Sequence, residues 1–488
     1  MFKSRFLKLL VIPVVLGIFV SCGGSDNDTT PVAPPAPAAP APVVASFECP
    51  SVTNSAGTAV VQGTDTAGGD TCTYTGTYTD SFTMASEATH VLSGPVNIGD
   101  DTATPTLTVE AGTTIRGESG PDSLNILRGA KIIAAGTADA PIIMTSTSDD
   151  GTLAADAQGQ WGGLQLMGRA TLNCTDAEKN SAGVCERAAE GYSSGITVPY
   201  GGTNDLDSSG TLSYVVVKYA GNQITPTNEL NGIAFYAVGN STSVNYIRVH
   251  NNADDGIEFF GGTVNFKYAY LTGNQDDSFD YTNGWRGNAQ WVIIDQNTPD
   301  PATATANRPD NGMEFDNNGD ANNALPRSNP TISNFLILGN TVKHGELVHT
   351  REGTNATLAN GIIVDASNLG ACWEVDNDST VTAASDGTNA YGKLVAASVA
   401  MDCGTKKFQS KNDSDVWVDD SMTITWAAAS TNSITDITNS LTGYVNGANE
   451  AAIEVNTDVL VGAFWDTPTE IGVIPSDGTD WTAGWSDL

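Results

Sequence analysis

Carboxylates recur in matching places along the middle of this chain. Asp254, Asp255 and Glu258 sit in one segment, and Asp276, Asp277 and Asp280 sit in the same places 22 residues later. Asp310 and Glu314 repeat the outer two positions after an insertion. Clustered carboxylates are the hard oxygen ligands that Ca²⁺ takes. These eight residues are therefore the candidate metal set, with Ca²⁺ the candidate cofactor. Asp255, Asp276 and Asp277 could also serve as the acid and base of an inverting glycoside hydrolysis, which needs two carboxylates separated by room for a water. A plainer role coexists with both: Asp and Asn satisfy neighbouring backbone groups in tight turns.

The elements that must position these groups follow from the same repeat. Residues 253–259 read Ala-Asp-Asp-Gly-Ile-Glu-Phe and residues 275–281 read Gln-Asp-Asp-Ser-Phe-Asp-Tyr. Asn-Gly-Met-Glu-Phe follows at 311–315, and Asn-Gly-Ile-Ala-Phe precedes at 231–235. A unit returning every 22 to 24 residues, with insertions confined to one point, is the mark of a solenoid. Short runs rich in β-branched and aromatic residues, separated by turn residues, predict an all-β chain. The reading is a right-handed parallel β-helix with terminal caps.

Side chains alternate across a strand. Ile257, Phe279 and Met313 then form one core column, and Phe259, Tyr281 and Phe315 another. Glu258, Asp280 and Glu314 between them face outward, about 4.8 Å apart from rung to rung. Asn252 and Asn274 are expected to stack as an amide ladder at the turn. Trp161, Trp285, Trp291, Trp373 and Tyr200 suit either sugar stacking or core packing. The insertions 222–231 and 297–309 fall on one side of the repeat and are where a binding surface is expected.

Composition narrows the partners. The 488 residues carry 56 acidic and 21 basic side chains, a formal charge of −35. Nucleic acid and anionic membrane surfaces would be repelled. After Cys22 six cysteines remain, the even number expected of disulfides in an exported protein. The sequential pairing Cys49–Cys72, Cys174–Cys185 and Cys372–Cys403 is the expected set, with free buried thiols the alternative. No pair has metal-knuckle spacing.

The first 22 residues have a basic start (Lys3, Arg5, Lys8), an apolar run from Leu9 to Val20, and then Ser21-Cys22-Gly23. The apolar run is too short for a permanent span. The segment resembles a bacterial lipoprotein signal, with Phe19 in place of the usual Leu. That resemblance implies lipidation of Cys22, for example by palmitate, and attachment to the outer membrane facing either the surface or the periplasm. Residues 23–48 form a Pro/Ala-rich tether whose twelve-residue run from Pro31 to Pro42 spans roughly 37 Å as polyproline II. Residues 49–106 are assigned to an N-terminal cap, 107–404 to the β-helix and 405–488 to C-terminal coils and cap.

The run from Leu107 to Gly117, the run from Leu127 to Ser146, Trp161-Gly-Gly-Leu-Gln-Leu-Met-Gly-Arg169, residues 250–263 and the terminal Asp480-Trp-Thr-Ala-Gly-Trp485 together resemble a family of bacterial surface and secreted lipoproteins with a parallel β-helix, mostly without assigned activity. The resemblance implies fold and location more than function. The spacing of Asp255, Asp276 and Asp277 also resembles that of the polygalacturonase aspartates, but the Gly-His-Gly and Arg-Ile-Lys strings of that family are absent and Ala253 stands where it has Thr. A polysaccharide lyase would need a basic residue as base. Arg286, Arg308, Arg327, Lys343, His344, His349 and Arg351 lie downstream without fixed spacing and read as scattered surface residues. The expected function is a lipid-anchored cell-envelope β-helix protein acting in surface binding or structure and stabilised by Ca²⁺, with a polysaccharide or an envelope protein as candidate partner and no nucleic-acid partner. The alternative is an extracellular polysaccharide-degrading enzyme of β-helix type.

Overall fold

A computed structural model describes residues 47–486, except 193–197, 226–227, 298–308, 343–344, 366, 368, 377–393, 413–415, 417, 419 and 430–431. Cys22, the tether up to residue 46, Arg308, Lys343, His344 and most of the 297–309 insertion therefore lie outside the described residues.

The strands wind into a parallel β-helix with three ladders. The first joins Phe82–Met84, Thr106–Val109 and Lys131–Ala135, then the leading halves of the long strands from Gly210–Lys218 to Leu394–Cys403. The second joins the leading half of Thr89–Ile98 to Thr114–Gly117 and Ile142–Ser146, then the trailing halves of the same long strands. The third carries the acidic repeat: Leu124–Ile126, Leu164–Met167, Ile233–Tyr236, Ile257–Phe260, Phe279–Thr282, Met313–Phe315, Val348–Thr350, Trp373–Val375 and Phe408–Gln409. Parallel pairing begins at Thr71, against the strand Thr89–Ile98, earlier than the boundary at residue 107. The antiparallel strand Val61–Thr64 pairs with the free edge of that first coil, at residues 70–73.

The core follows the predicted columns. Ile233, Ile257, Phe279, Met313, Val348 and Trp373 are register partners in turn, and all are buried. Phe235 stacks on Phe259 at 4.9 Å and Tyr281 on Phe315 at 4.5 Å. Such contacts add about 0.5–1.5 kcal/mol each beyond burial. Trp161, Trp285, Trp373 and Tyr200 are buried packing residues. Trp291 lies instead in an external stack.

That stack marks the corner between the first two ladders. Tyr214, Tyr246, Tyr268 and Trp291 occupy one position on successive coils, and all have left-handed backbone with φ of 50 to 65°. A non-glycine residue in that region costs about 1–2 kcal/mol. Stacking offsets it: the ring centroids of Tyr214 and Tyr246 lie 4.2 Å apart and those of Tyr246 and Tyr268 4.4 Å apart, with the ring planes nearly parallel in both pairs.

The C-terminal part does two things. Residues 405–436 close the last coil, with Trp426 of the short helix Ser421–Ala427 packed on Trp373 at 4.8 Å. The remainder runs back along the outside of the coils rather than over their end. Gly472 donates its N–H to the Asn360 carbonyl, Tyr444 donates to Asp295, and Trp481 and Trp485 pack edge-on against the tyrosine stack. The disulfides are Cys49–Cys72, Cys174–Cys185 and Cys372–Cys403, the sequential set.

Candidate functional site

The third ladder presents an outward row of polar side chains along its length. It begins with Asn97, Asn125 and Gln165, passes Ala234, and continues through Glu258, Asp280, Glu314, His349, Glu374 and Gln409. Register alone places them there, because parallel strands in phase set every equivalent residue on one face.

The row points away from the core as expected, but it is not solvated. Glu258 is 7% exposed, Asp280 9% and Glu374 fully buried. The cover over its first part is the excursion between Met167 and Gly210. Leu172, the Cys174–Cys185 disulfide, Val198 and Tyr200 pack there on Ala234, Tyr236 and Phe260, forming a small second core outside the coil. Glu190 arrives with this excursion and shares the Asn231 amide donor with Glu258, at 3.4 Å. A long connection without strand-like alternation gave no sign in the sequence that it would fold onto the acidic face.

Carboxylates so enclosed resist ionisation. Burial, followed by repulsion from Glu190 and Asp280, pushes Glu258 well above the usual carboxylate range. Burial, followed by Glu314 and Asp316, does the same to Asp280. Glu190 is raised to about 7, chiefly by burial. Asn231 donates to Glu258 Oε2 at 2.5 Å, whereas Asp280 Oδ1 has no hydrogen-bond partner.

The turn before each strand holds a second ladder. Asp255 Oδ1 accepts the Asp277 backbone N–H at 2.9 Å. Asp277 Oδ1 accepts the Asn311 N–H at 2.7 Å, and Asn311 Oδ1 accepts the Glu346 N–H at 2.8 Å. Asp255 and Asp277 are thus buried turn residues that satisfy backbone donors. The ladder predicted for Asn252 and Asn274 does not form. Asn252 bonds the Asp255 carbonyl within its own turn, and the Asn274 amide has no partner. The turn needs an acceptor at the position before Gly256 or Ser278, and Asp or Asn at that place reaches the next coil.

The eight candidate metal ligands separate into distinct settings. Asp254, Asp255 and Asp276 bring one oxygen each within 4.8 Å of the others, and so do Asp255, Glu258 and Asp280. Asp276 is exposed at the rim of a cavity of about 410 Å³ lined by Gln223, Glu229, Ala253, Asp254, Gln275 and Asp276 itself. Its carboxyl is raised to about 6 by desolvation and then by Glu314, Asp310 and Glu229. Asp254 is raised well above the usual range by burial and then by Asp276. The hairpin Asn222–Thr225 with Asn228–Leu230, within the predicted insertion, forms one wall of this cavity. Glu314 is committed elsewhere. It is held by Asn311, by Arg351 and by His349 at 3.1 Å, and these outweigh burial to keep its carboxyl below the usual range.

The basic candidates among the described residues, Arg286, Arg327, His349 and Arg351, are engaged by partners rather than scattered free over the surface. His349 is 4% exposed, lies in the polar row and contacts Asp376 at 2.8 Å as well as Glu314. Burial opposes its protonation, but Asp376 and Glu314 outweigh this and raise it well above the usual imidazole range. Arg351 also pairs with Asp316 at 2.9 Å, and Arg286 pairs with Asp205 at 3.3 Å. Arg327 donates to the carbonyls of Asn322, at 2.8 Å, and Gly353. Glu374 and Asp376 were not singled out from sequence. The signal for Glu374 is the apolar–polar–apolar pattern of Trp373-Glu374-Val375, which continues the repeat at wider spacing.

A family model described as a pectate-lyase like beta helix domain matches residues 76–486. No curated protein and no solved structure matches significantly.

Proposed function

The chain belongs to the family of pectate-lyase like beta helix domains, and from that premise we propose that it is a lipid-anchored protein of the cell envelope that binds a polysaccharide or an envelope protein beside the acidic turns preceding its third ladder, with Ca²⁺ at those turns. A lipid on Cys22 fixes the chain to the outer membrane, and residues 23–48 hold the folded body off the lipid. The supporting observation is the cavity at the turns. Asp254, Asp255 and Asp276 converge within 4.8 Å beside an opening of about 410 Å³. Oxygen ligands from turns, with Asp276 exposed and Asp254 part-exposed beside the buried Asp255, suit Ca²⁺, and a cation there relieves the repulsion between neighbouring carboxylates. Neutral and acidic glycans both offer hydroxyls that the Gln223 and Gln275 amides can bond.

The experiment is a thermal melt with EDTA and with added Ca²⁺, together with assays for release of sugar from pectate and alginate. A Ca²⁺-dependent rise in melting temperature without sugar release supports binding. Melting that ignores both additives removes Ca²⁺ from the reading.

The enzyme reading draws on Asp276, an exposed carboxyl raised to about 6 that could exchange a proton near neutral pH. Its two would-be partners, Asp255 and Asp277, each have an oxygen engaged by backbone N–H groups. The basic residues Arg286, Arg327 and Arg351 are engaged by carboxylates or carbonyls. Binding is therefore the better supported role.

A further inference from the structure

We propose that His349, Glu374 and Asp376 form a site for one divalent transition-metal ion of the zinc class, separate from the acidic turns. Three potential ligand atoms converge here, all within 4.8 Å of one another: His349 Nε2, Glu374 Oε1 and Asp376 Oδ2. Nε2 is 2.8 Å from Asp376 Oδ2 and 3.5 Å from Glu374 Oε1. A tetrahedral ion with bonds of about 2.0–2.2 Å sets its ligands roughly 3.4 Å apart. The His349–Glu374 pair is already near that separation, and Asp376 has to retreat from the ring by a few tenths of an ångström.

The surrounding groups fix each ligand from behind. Glu314 Oε2 takes the His349 Nδ1 proton at 3.1 Å, the carboxylate–histidine arrangement that aims the other ring nitrogen at a metal. Gln409 donates to Glu374 Oε2 at 2.5 Å. The Lys411 backbone N–H holds Asp376 Oδ1 at 3.1 Å. In each of the three residues one polar atom is held by a neighbour and the other is turned to the common centre. Glu374 Oε1 is the telling atom. Its residue is fully buried, and this oxygen has no hydrogen bond. His349 Nε2 lies 3.5 Å from it and Lys411 Nζ 3.4 Å, and the Asp376 carboxyl adjoins the same residue.

The donor set selects the metal class. One imidazole and two carboxylates, with a lysine head group at the border that a cation would displace, suit a small borderline ion better than Ca²⁺, which takes six to eight oxygens in roughly that number of contacts. Three protein ligands leave one position for water.

Titration calorimetry with Zn²⁺ on the EDTA-stripped protein, in excess Ca²⁺, tests this. One Zn²⁺ per chain is expected, and Co²⁺ in its place should give the intense visible absorption of a four-coordinate ion. Glu374→Gln keeps shape and removes one ligand charge, and should weaken Zn²⁺ by about a hundredfold or more, by analogy with the loss seen when even outer partners are removed. His349→Gln should abolish binding, and Asp254→Asn with Asp276→Asn should leave it intact. If His349→Gln fails to fold, Glu374→Gln decides alone. The proposal is overturned if the native protein takes up no more Zn²⁺ than Glu374→Gln, in which case His349 is a protonated clamp between carboxylates. Loss of the Ca²⁺ effect on melting would leave this result unaffected, so the two metal readings fail separately.

Discussion

Asp277 gives its backbone N–H to Asp255 Oδ1 at 2.9 Å, one coil away, and receives the Asn311 N–H on its own Oδ1 at 2.7 Å. The same side chain therefore ends one turn and begins the next. Asp277→Ala leaves the buried N–H of Asn311 without an acceptor and should cost about 1–3 kcal/mol in chemical denaturation. Asp277→Asn keeps the acceptor and removes a carboxyl whose ionisation burial and Glu314 oppose, so it should cost much less or stabilise. Equal losses from the two substitutions would show that charge, not the backbone bond, is what matters there.

That relationship also shows how far the sequence could be read. The in-phase copies around Gly256, Ser278 and Gly312 are enough to place Ile257 over Phe279 and Glu258 over Asp280, because parallel register carries a period of two without slip. The acceptor role of Asp255 was legible as turn chemistry. The burial of Glu258 was not, since it depends on Tyr200 and Leu172 of a connection that shares no repeat with the coils. Asn252 and Asn274 show the opposite error. Equal sequence position suggested a ladder, but the strand-facing acceptor next to the glycine was the one that reached the next coil. The return of the C-terminal part along the outside was hidden for a similar reason: Trp481 and Trp485 find partners on coils more than two hundred residues earlier.

Stability should fall as pH rises through neutrality. Glu190 is raised to about 7 and Asp276 to about 6, and Asp255, Glu258 and Asp280 are raised further by burial. A carboxyl with a raised folded-state pKa binds its proton more tightly when folded. Its contribution is complete below the unfolded value of about 4 and is lost as pH climbs through the folded value. Asp376, lowered to about 2 chiefly by His349 against the opposing effect of burial, acts in the other sense and loses its contribution only as pH falls from about 4 towards 2. Melting temperature should therefore peak near pH 4–5 and decline between about pH 5 and 8. A curve rising across that interval in the presence of EDTA would contradict the enclosed, protonated carboxylates.

Ca²⁺ should counter that decline. Protons and the cation compete for Asp254, Asp255 and Asp276, so the Ca²⁺-induced rise in melting temperature should be larger at pH 8 than at pH 5. At about a hundred times the dissociation constant the expected stabilisation is about 2.7 kcal/mol. Asp276→Asn, at the exposed rim, should reduce the effect while leaving the fold unchanged in EDTA. A Ca²⁺ response untouched by that substitution would move the site to the inner group of Asp255, Glu258 and Asp280.

The C-terminal strap should be a large part of the stability of the outer corner. Trp485 is buried and meets Tyr214 at 5.5 Å and Tyr246 at 6.0 Å, each edge to face. Asp466 accepts from Lys267 at 2.6 Å, from Tyr268 at 2.9 Å and from Trp291 at 3.1 Å. Trp485→Ala should cost about 3 kcal/mol, the scale of a buried Trp truncation. Asp466→Ala should cost nearer 1 kcal/mol, because its carboxylate is partly exposed and its donors can turn to water. Denaturation that loses less from Trp485→Ala than from Asp466→Ala would mean that the strap is held by its polar contacts rather than by the stacked rings.

The proposed attachment through Cys22 predicts a clean separation between location and folding. Cys22→Ser removes the thiol that would carry the lipid, and the parallel pairing of the described residues begins at Thr71. The variant should move from the detergent-rich to the aqueous phase on detergent partition and should take up no labelled palmitate. Its melting curve should coincide with that of the native protein, because the residues that set it lie in the coils and their strap. Apolar surface on the body would hold a protein to membranes whether or not Cys22 is present, whereas the body here is acidic, with a chain charge of −35 that repels anionic lipid. A Cys22→Ser protein that still partitions with detergent would therefore place the membrane contact on the folded body and remove the tether from the functional reading.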